Sequence, residues 1–356
     1  MRTLLRPTAF VDSPFGHDGK VARLAGGLNW FAAVELLRIE GGKRVATELV
    51  PVEGIERRFD DDMAGQWQRL TAARPSLQLG ERTIRLDQPQ VMGIVNATPD
   101  SFSDGGQFED SAAAASAGAD MAAQGAAIID VGGESTRPGA KPVWEGDEIE
   151  RIAPIIRQLA SGGSAVSVDT RRADVMTAAL EAGARMINDV SALTYDDRSA
   201  GVIAAAGVPV ILMHHQGPPE VMQDNPRYDD VLVEVYLWLE QRIAAGEAAG
   251  VARDRILVDP GFGFGKNVAH NLELMNGLAV LHSLGCPVVV GASRKRTIGA
   301  LSGEAPADRR LGGSIAFALK AAEQGAQLVR VHDVVETVQA VRIWRGLRDQ
   351  ALTPRA

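Results

Sequence analysis

The chain has 356 residues, 46% hydrophobic and 23% charged, a composition that supports a real core and excludes a largely disordered chain. Its net charge of −8, without a basic stripe, argues against nucleic acid and anionic membranes as partners. The single cysteine, Cys286, excludes an intrachain disulfide or a multi-cysteine metal site and fits a reducing cytoplasm.

The first segment, MRTLLRPTAFVDSPFGHDGK, lacks the apolar core of a signal peptide, and no apolar run reaches the roughly 18 residues of a membrane span. Phe31–Ile39 and Arg44–Val52 flank Gly41-Gly42 and read as a β-hairpin. Asp60-Asp61-Asp62 opens a short helix toward Leu70. Residues 1–87 carry 13 Lys+Arg and 12 Asp+Glu, a net +1, whereas residues 88–356 carry 24 and 33, a net −9. The expected division is an accessory segment over 1–80, a main domain over 81–350 and a tail over 351–356.

From residue 88 the pattern becomes regular. Apolar, β-branched runs fall at Val91–Ala97, Ala127–Val131, Ala165–Asp169, Met186–Val190, Pro209–Met213, Ile256–Asp259, Pro287–Gly291 and Leu328–His332. Between and after them lie helical stretches, at Ser111–Gln124, Glu148–Ala160, Arg172–Ala182, Asp229–Ala249, Asn271–Leu284, Arg309–Gln324 and Val334–Leu347. Eight strand–helix units over about 263 residues match the rhythm of a (β/α)8 TIM barrel, typically ~250 residues long. A doubly wound open sheet is the structural rival.

Polar residues stand at the C-terminal ends of these runs, which a barrel gathers at one mouth. Asp169, Asn188 and Asp259 present acceptors and an amide deep in the barrel, suited to a planar heterocycle bearing N–H and NH2 donors. Arg330, His332 and Asn96 lie on the last and first runs, neighbours in a closed barrel. The first two suit a phosphate, and Asn96 offers an oxygen to a hard cation such as Mg2+. The connections after the first two runs are long and Gly/Pro-punctuated, fit for mobile lids, and carry Phe102, Arg137 and Pro138. His214-His215 lacks a third ligand at metal spacing and reads as structural. Gly261–Lys266 lacks the Walker spacing and reads as a Gly-rich turn beside the pocket.

Two segments, VMGIVNATPDSFSDGG (91–106) and IIDVGGESTRPG (128–139), resemble the signatures of the dihydropteroate synthase family. VDT (168–170), IND (187–189), DPGFGFGK (259–266), SRK (293–295) and RVHD (330–333) follow in that family's order. The resemblance covers about residues 80–350. It implies a cytoplasmic, Mg2+-dependent enzyme of folate biosynthesis, a sulfonamide target and homodimer. The implied reaction joins 6-hydroxymethyl-7,8-dihydropterin diphosphate to 4-aminobenzoate. Asp169, Asn188, Asp259 and Lys295 would hold the pterin, with Met213 on its face. Asn96 would coordinate Mg2+, and Thr136, Arg330 and His332 would serve the diphosphate. Phe102, Arg137 and Pro138 would form the aminobenzoate pocket, with Arg296 beside it where many relatives carry Ser. Asp104 would stabilise a cationic methylene, acting with Lys295, Arg330 and His332 in catalysis. A pterin-binding methyltransferase domain on the same barrel is the alternative; it has no use for a diphosphate-binding Arg330 and His332.

Overall fold

Strand alternation sets the architecture. The computed structural model describes residues 1–97, 107–134, 143–217 and 221–353. Its main sheet contains eight parallel strands: β7 (Gln90–Asn96), β8 (Ile128–Gly132), β9 (Val166–Asp169), β10 (Met186–Asp189), β11 (Val210–Met213), β12 (Ile256–Asp259), β13 (Val289–Val290) and β14 (Leu328–Val331). They pair in chain order from β7 to β12, and β14 lies between β13 and β7. A parallel bridge between Val258 and Val288 joins β12 to the start of β13 and closes the barrel. The open-sheet alternative is thereby excluded, and each expected strand lies within two residues of its place.

One parity of each strand faces out and packs under the helices: Ile129 and Val131, Val166 and Val168, Val210 and Leu212, Val329 and Val331. The other parity faces the barrel axis. At the N-terminal ends it supplies Met92, Ile128, Met186, Ile211, Leu257, Val289 and Leu328, which pack with Leu77, Leu79 and Ile84 of a short hairpin, β5 (Leu77–Leu79) and β6 (Arg82–Ile84), and with Leu86 just after it. That hairpin straddles the expected boundary at residue 80 and plugs the closed end of the barrel.

The outer helices are α2 (Gln107–Ala123), α3 (Glu145–Ser161), α4 (Ala173–Ala182), α5 (Ser199–Ala206), α6 (Val231–Ala248), α7 (Val268–Gly277), α8 (Arg296–Leu301), α9 (Leu311–Glu323) and α10 (Val334–Ala351). Helices α5 and α8 have no counterpart in the sequence reading. The first is apolar nearly all round and the second spans six residues, so neither displays a 3.6-residue stripe. The stretch expected as one helix over Asn271–Leu284 instead changes to a 3-10 helix at Leu278, where Leu232 occupies the space beside Gly277.

The N-terminal segment is a four-stranded antiparallel sheet: β1 (Arg2–Val11), β2 (Ala22–Arg23), β3 (Trp30–Glu40) and β4 (Lys43–Pro51), followed by α1 (Asp61–Thr71). The expected hairpin and helix are both present. β1 is additional; Arg2, Arg6 and Pro7 interrupt its apolar pattern, and Pro7 is tolerated because β1 pairs only with β3. Leu4, Leu37 and Ile39 join the barrel's hydrophobic core, while Leu5, Val34 and Leu36 pack with Met63 and Leu70 of α1. Polar ties fasten the seam: Arg2 forks onto Glu240 of α6, Arg69 and Arg74 donate to the Ser283 and His282 carbonyls, and Asn29 donates to the Ala322 carbonyl.

Leu37→Ala is expected to cost about 2–5 kcal/mol, the range for emptying a buried leucine site. Leu49→Ala, on the same sheet but 65% exposed, should stay within about 0.5 kcal/mol. Equal losses in urea unfolding would show that the sheet is not seated on the barrel.

Candidate active site

The parity that lines the plug at one end lines the mouth at the other. Counting along each strand in twos leads from Met92 to Asn96, from Ile128 to Asp130, from Met186 to Asn188, from Ile211 to Met213, from Leu257 to Asp259 and from Leu328 to Arg330 and His332. Side chains that are dispersed in the sequence therefore meet around one axis.

Arg330 is their centre. Its Nε donates to Asp130 Oδ2 at 2.6 Å and its Nη2 to Asp169 Oδ2 at 2.8 Å. Asn188 Nδ2 donates to the same Asp130 oxygen at 3.0 Å. Burial opposes the Arg330 cation, but the two carboxylates outweigh it and hold its pKa above the usual guanidinium value. Burial pushes Asp169 up to about 7, against the pull of Arg330. The second oxygens of both acids, Asp130 Oδ1 and Asp169 Oδ1, are buried and accept no hydrogen bond from a described residue. Buried acceptors left in that state await a donor.

Asp259 closes the ring of acids. Burial raises its pKa; the Gly261 N–H, donating to Oδ1 at 2.7 Å, opposes this, as do the charges of Lys295 and Arg330. A methyl on Gly291 would lie 3.6 Å from Asp259 Oδ2 and 3.9 Å from Arg330 Cβ, so this backbone passes close to both groups. Met213 is buried at the end of β11. Lys295 caps the N-terminus of α8, with its ammonium 4.1 Å from the centre of the Phe264 ring. Arg296, the first residue of α8, is exposed.

The rim beside β14 is built on a strained residue. Arg294 has a left-handed φ of 55°, unusual for a residue with a side chain. An ion pair with Asp333 holds it, as do its N–H on Ser314 Oγ (3.0 Å) and the Arg310 guanidinium on its carbonyl (2.9 Å). Its neighbour Ser293 accepts from the His332 N–H and lies 3.1 Å from His332 Nδ1. A Ser293 hydroxyl proton donated to Nδ1 would leave the ring proton on Nε2. Burial and the nearby Arg330 pull His332 down to about 4, so it is a neutral donor near pH 7.

Asn96 stands half-buried at the end of β7. Phe102, Asp104, Thr136, Arg137 and Pro138 lie outside the described residues. The sequence reading set two further groups at strand ends, Asp130 and Lys266, without giving either a role in the site. Asp130 interrupts the apolar run Ile128–Val131 at the inward parity, a signal that was available. Lys266 is buried, and donates to His214 Nδ1 (2.8 Å) and to the Gly261 and Phe264 carbonyls (3.0 Å each). Burial draws its pKa down to about 7. It ties the Gly-rich turn to the end of β11, which gives His214 the structural role expected of it. Gly261 makes that closeness possible: at φ +68°, a Cβ there would sit 1.8 Å from the His214 carbonyl oxygen.

A pterin-binding-enzyme family profile matches residues 92–332. Escherichia coli K12 dihydropteroate synthase is 46% identical over 262 residues, 73% of this chain and 92% of that protein. The chain belongs to the dihydropteroate synthase family. Among solved structures, the Xanthomonas albilineans enzyme with 4-aminobenzoic acid has 47% identity and a TM-score of 0.74, covering 79% of this chain and 100% of that one. The same enzyme with 7,8-dihydropteroate has 45% identity and a TM-score of 0.71, covering 78% and 100%. The reaction is the family's transferase reaction of folate biosynthesis: the pterin diphosphate condenses with 4-aminobenzoate to give 7,8-dihydropteroate and diphosphate.

Gly261→Ala should lose at least about 1 kcal/mol from its backbone conformation alone, and more from the clash with a carbonyl that has no rotamer to retreat to. Gly312→Ala, in α9 with open space around it, should gain about 0.5–1 kcal/mol. Chemical denaturation separates them; a tolerated Gly261→Ala would mean that the turn does not approach β11 this closely.

Proposed function

We propose that the floor of the mouth holds the pterin ring and its rim holds the diphosphate. The observation that carries this reading is the pair of buried oxygens on Asp130 and Asp169 that accept no hydrogen bond from a described residue, set beside Asn188 and Asp259. An aminopyrimidine edge rich in N–H donors satisfies such oxygens, whereas an anion would be repelled by them. Met213 offers an apolar contact to the ring face, and Lys295 a donor at its edge.

Arg330 has a double part. Its Nε and Nη2 hold the two acids, while its Nη1 makes no hydrogen bond to a described residue. It keeps the carboxylates in place and presents positive charge toward the adjoining rim, where His332 adds a neutral donor. As the bond to diphosphate lengthens, negative charge grows on the departing oxygen, and these groups stabilise it more than they stabilise the bound substrate. The methylene left on the electron-rich ring accepts the aromatic amine, which already carries a nucleophilic lone pair and needs no strong base. The expected contributions of Thr136 to the diphosphate, of Asp104 to the cationic methylene, and of Phe102, Arg137, Pro138 and Arg296 to the aminobenzoate end belong to this same reading.

Among the described residues, no group of three or more His, Cys, Asp or Glu side chains forms a metal cage. The single hard oxygen of Asn96 at the mouth suits an ion that keeps its waters and takes its other ligands from phosphate, as Mg2+ does. Bound there, Mg2+ would neutralise diphosphate charge. No helix among the described residues is long and apolar enough to cross a membrane, and the reading places the enzyme in the cytoplasm as a homodimer.

Diphosphate release is the direct test. It should require the pterin diphosphate, 4-aminobenzoate and Mg2+ together. Release that ignores 4-aminobenzoate would remove the assignment of the site.

The raised Asp169 adds a pH dependence. A carboxylate that ionises only near 7 accepts from the ring above that pH and is protonated below it. Pterin affinity should therefore weaken about tenfold for each unit of acidification below 7 and level off above it. Calorimetric titration with a pterin analogue measures this, and Asp169→Asn should flatten the profile. Affinity that is constant or improves toward acid would take Asp169 away from the ring.

A further inference from the structure

The hairpin of β3 and β4 lies ahead of Met92, where the family match begins, yet its tip reaches the mouth end of the barrel wall. Arg44 there donates through Nε to Asp230 Oδ2 at 2.6 Å, immediately ahead of α6, and through Nη2 to Glu273 Oε1 at 3.2 Å, on α7. Lys43 pairs with Asp229 at 2.8 Å in solvent. The Asp230 side chain is only 9% exposed. Its other oxygen, Oδ1, caps α6 by accepting from the Val233 N–H at 3.1 Å. One guanidinium thus spans two helices, and one carboxylate is used on both oxygens.

Those two helices flank the Gly-rich turn. Just before α6, the Tyr228 hydroxyl donates to the Gly265 carbonyl at 2.9 Å, and the Gln223 amide donates to the Gly263 carbonyl. The Tyr228 ring also meets His270 of α7 edge-on, with centroids 4.9 Å apart. Asn267, at the other end of the turn, caps α7 in a reciprocal box with His270. The turn itself carries the Gly261 N–H that holds Asp259 and the Phe264 ring beneath Lys295. Each link is a described contact, and the chain of contacts runs from Arg44 to two groups of the ring-binding floor.

We propose that Arg44 is a positioning residue for the pterin end of the active site: by clasping the start of α6 to α7, the N-terminal sheet fixes the spacing of the two segments that carry the Gly-rich turn. The proposal rests on the assignment of Asp259 and Lys295 to the pterin. A half-buried arginine fork is suited to this task, because each donor has a fixed direction and Lys cannot reproduce the span. Without it, Asp230 keeps its cap but is left as a nearly buried charge without its cation. The start of α6 then relaxes toward water and carries Tyr228 with it.

The test is steady-state kinetics on the full chain, with thermal melts alongside. Arg44→Ala and Asp230→Asn, the latter keeping a good helix cap, should each raise the KM for the pterin diphosphate about threefold or more, and the double variant should be no worse than the larger single effect. The KM for 4-aminobenzoate and kcat should stay within about twofold, because the clasp acts on ground-state binding of one substrate. Arg44→Lys should recover only part of the loss. If Arg44→Ala folds poorly, Asp230→Asn and Glu273→Gln carry the test. An unchanged pterin KM, additive effects in the double variant, or equal rises in both KM values with a lowered Tm would overturn the proposal. Asp259→Asn is the independent control: normal pterin affinity in that variant would sink the site assignment itself, whatever Arg44 does.

Discussion

A guanidinium held between two buried carboxylates organises the mouth of this barrel. Desolvating Arg330, Asp130 and Asp169 separately would be prohibitive, and their mutual pairing makes the arrangement tolerable without making it a source of stability. What it provides is direction. Asp130 on β8, Asp169 on β9 and Arg330 on β14 are drawn to one point on the axis, and Asn188 on β10 is drawn to the same Asp130 oxygen. The oxygens of Asp130 and Asp169 that no described residue engages are therefore held in place before any ligand arrives. Preorganised acceptors of this kind need little rearrangement when a donor-rich ring binds.

A second buried charge supports the first from outside. Lys266 stands among carbonyls and the His214 ring, and draws the Gly-rich turn against β11. Burial keeps His214 well below its ordinary pKa, so its Nδ1 is available as an acceptor for the ammonium. The turn then delivers a backbone N–H to Asp259 and an aromatic face to Lys295. Glycine is required where it approaches the His214 carbonyl, so the local sequence and the electrostatics of the site are consequences of one close contact.

Much of this was legible in the sequence because a parallel barrel writes its strands as short apolar runs and its chemistry at their ends. Asn96, Asp169, Asn188, Met213, Asp259, Arg330 and His332 all fall there, and the structure brings them around one axis. Asp130 stands at the end of the second run but was given no role in the site, although it obeys the same count in twos from Ile128; a residue inside an apolar run reads as a strand residue until its parity is compared with its neighbours'. Asp189 shows the converse. It sits next to Asn188 but on the outward parity, and its carboxylate is spent on the Ser191 and Leu193 N–H groups. The role of Lys266 had no local signature, since what matters is burial among carbonyls from two separate loops. Nor did Arg44, whose partners stand 186 and 229 residues away. Periodicity reports which face a residue occupies, and does not report which distant element covers that face.

The charge balance explains how a protein of net charge −8 serves an anionic substrate. The floor holds three acids, Asp130, Asp169 and Asp259, against Arg330 and Lys295, so locally it carries an excess of acceptor oxygens. An anion has no place among them. The cationic edge of Arg330 lies on β14 and the neutral His332 donor just past its end, beside β7 with Asn96. In the proposed reading, a donor-seeking floor and an anion-seeking rim thus share one mouth, and Asp130 on β8 stands next to β7 where they meet. Under that reading, a ligand with N–H groups at one end and phosphate at the other would bind with its ring on the floor and its phosphates at the rim, and the carbon between them would lie at the boundary, open to the second substrate.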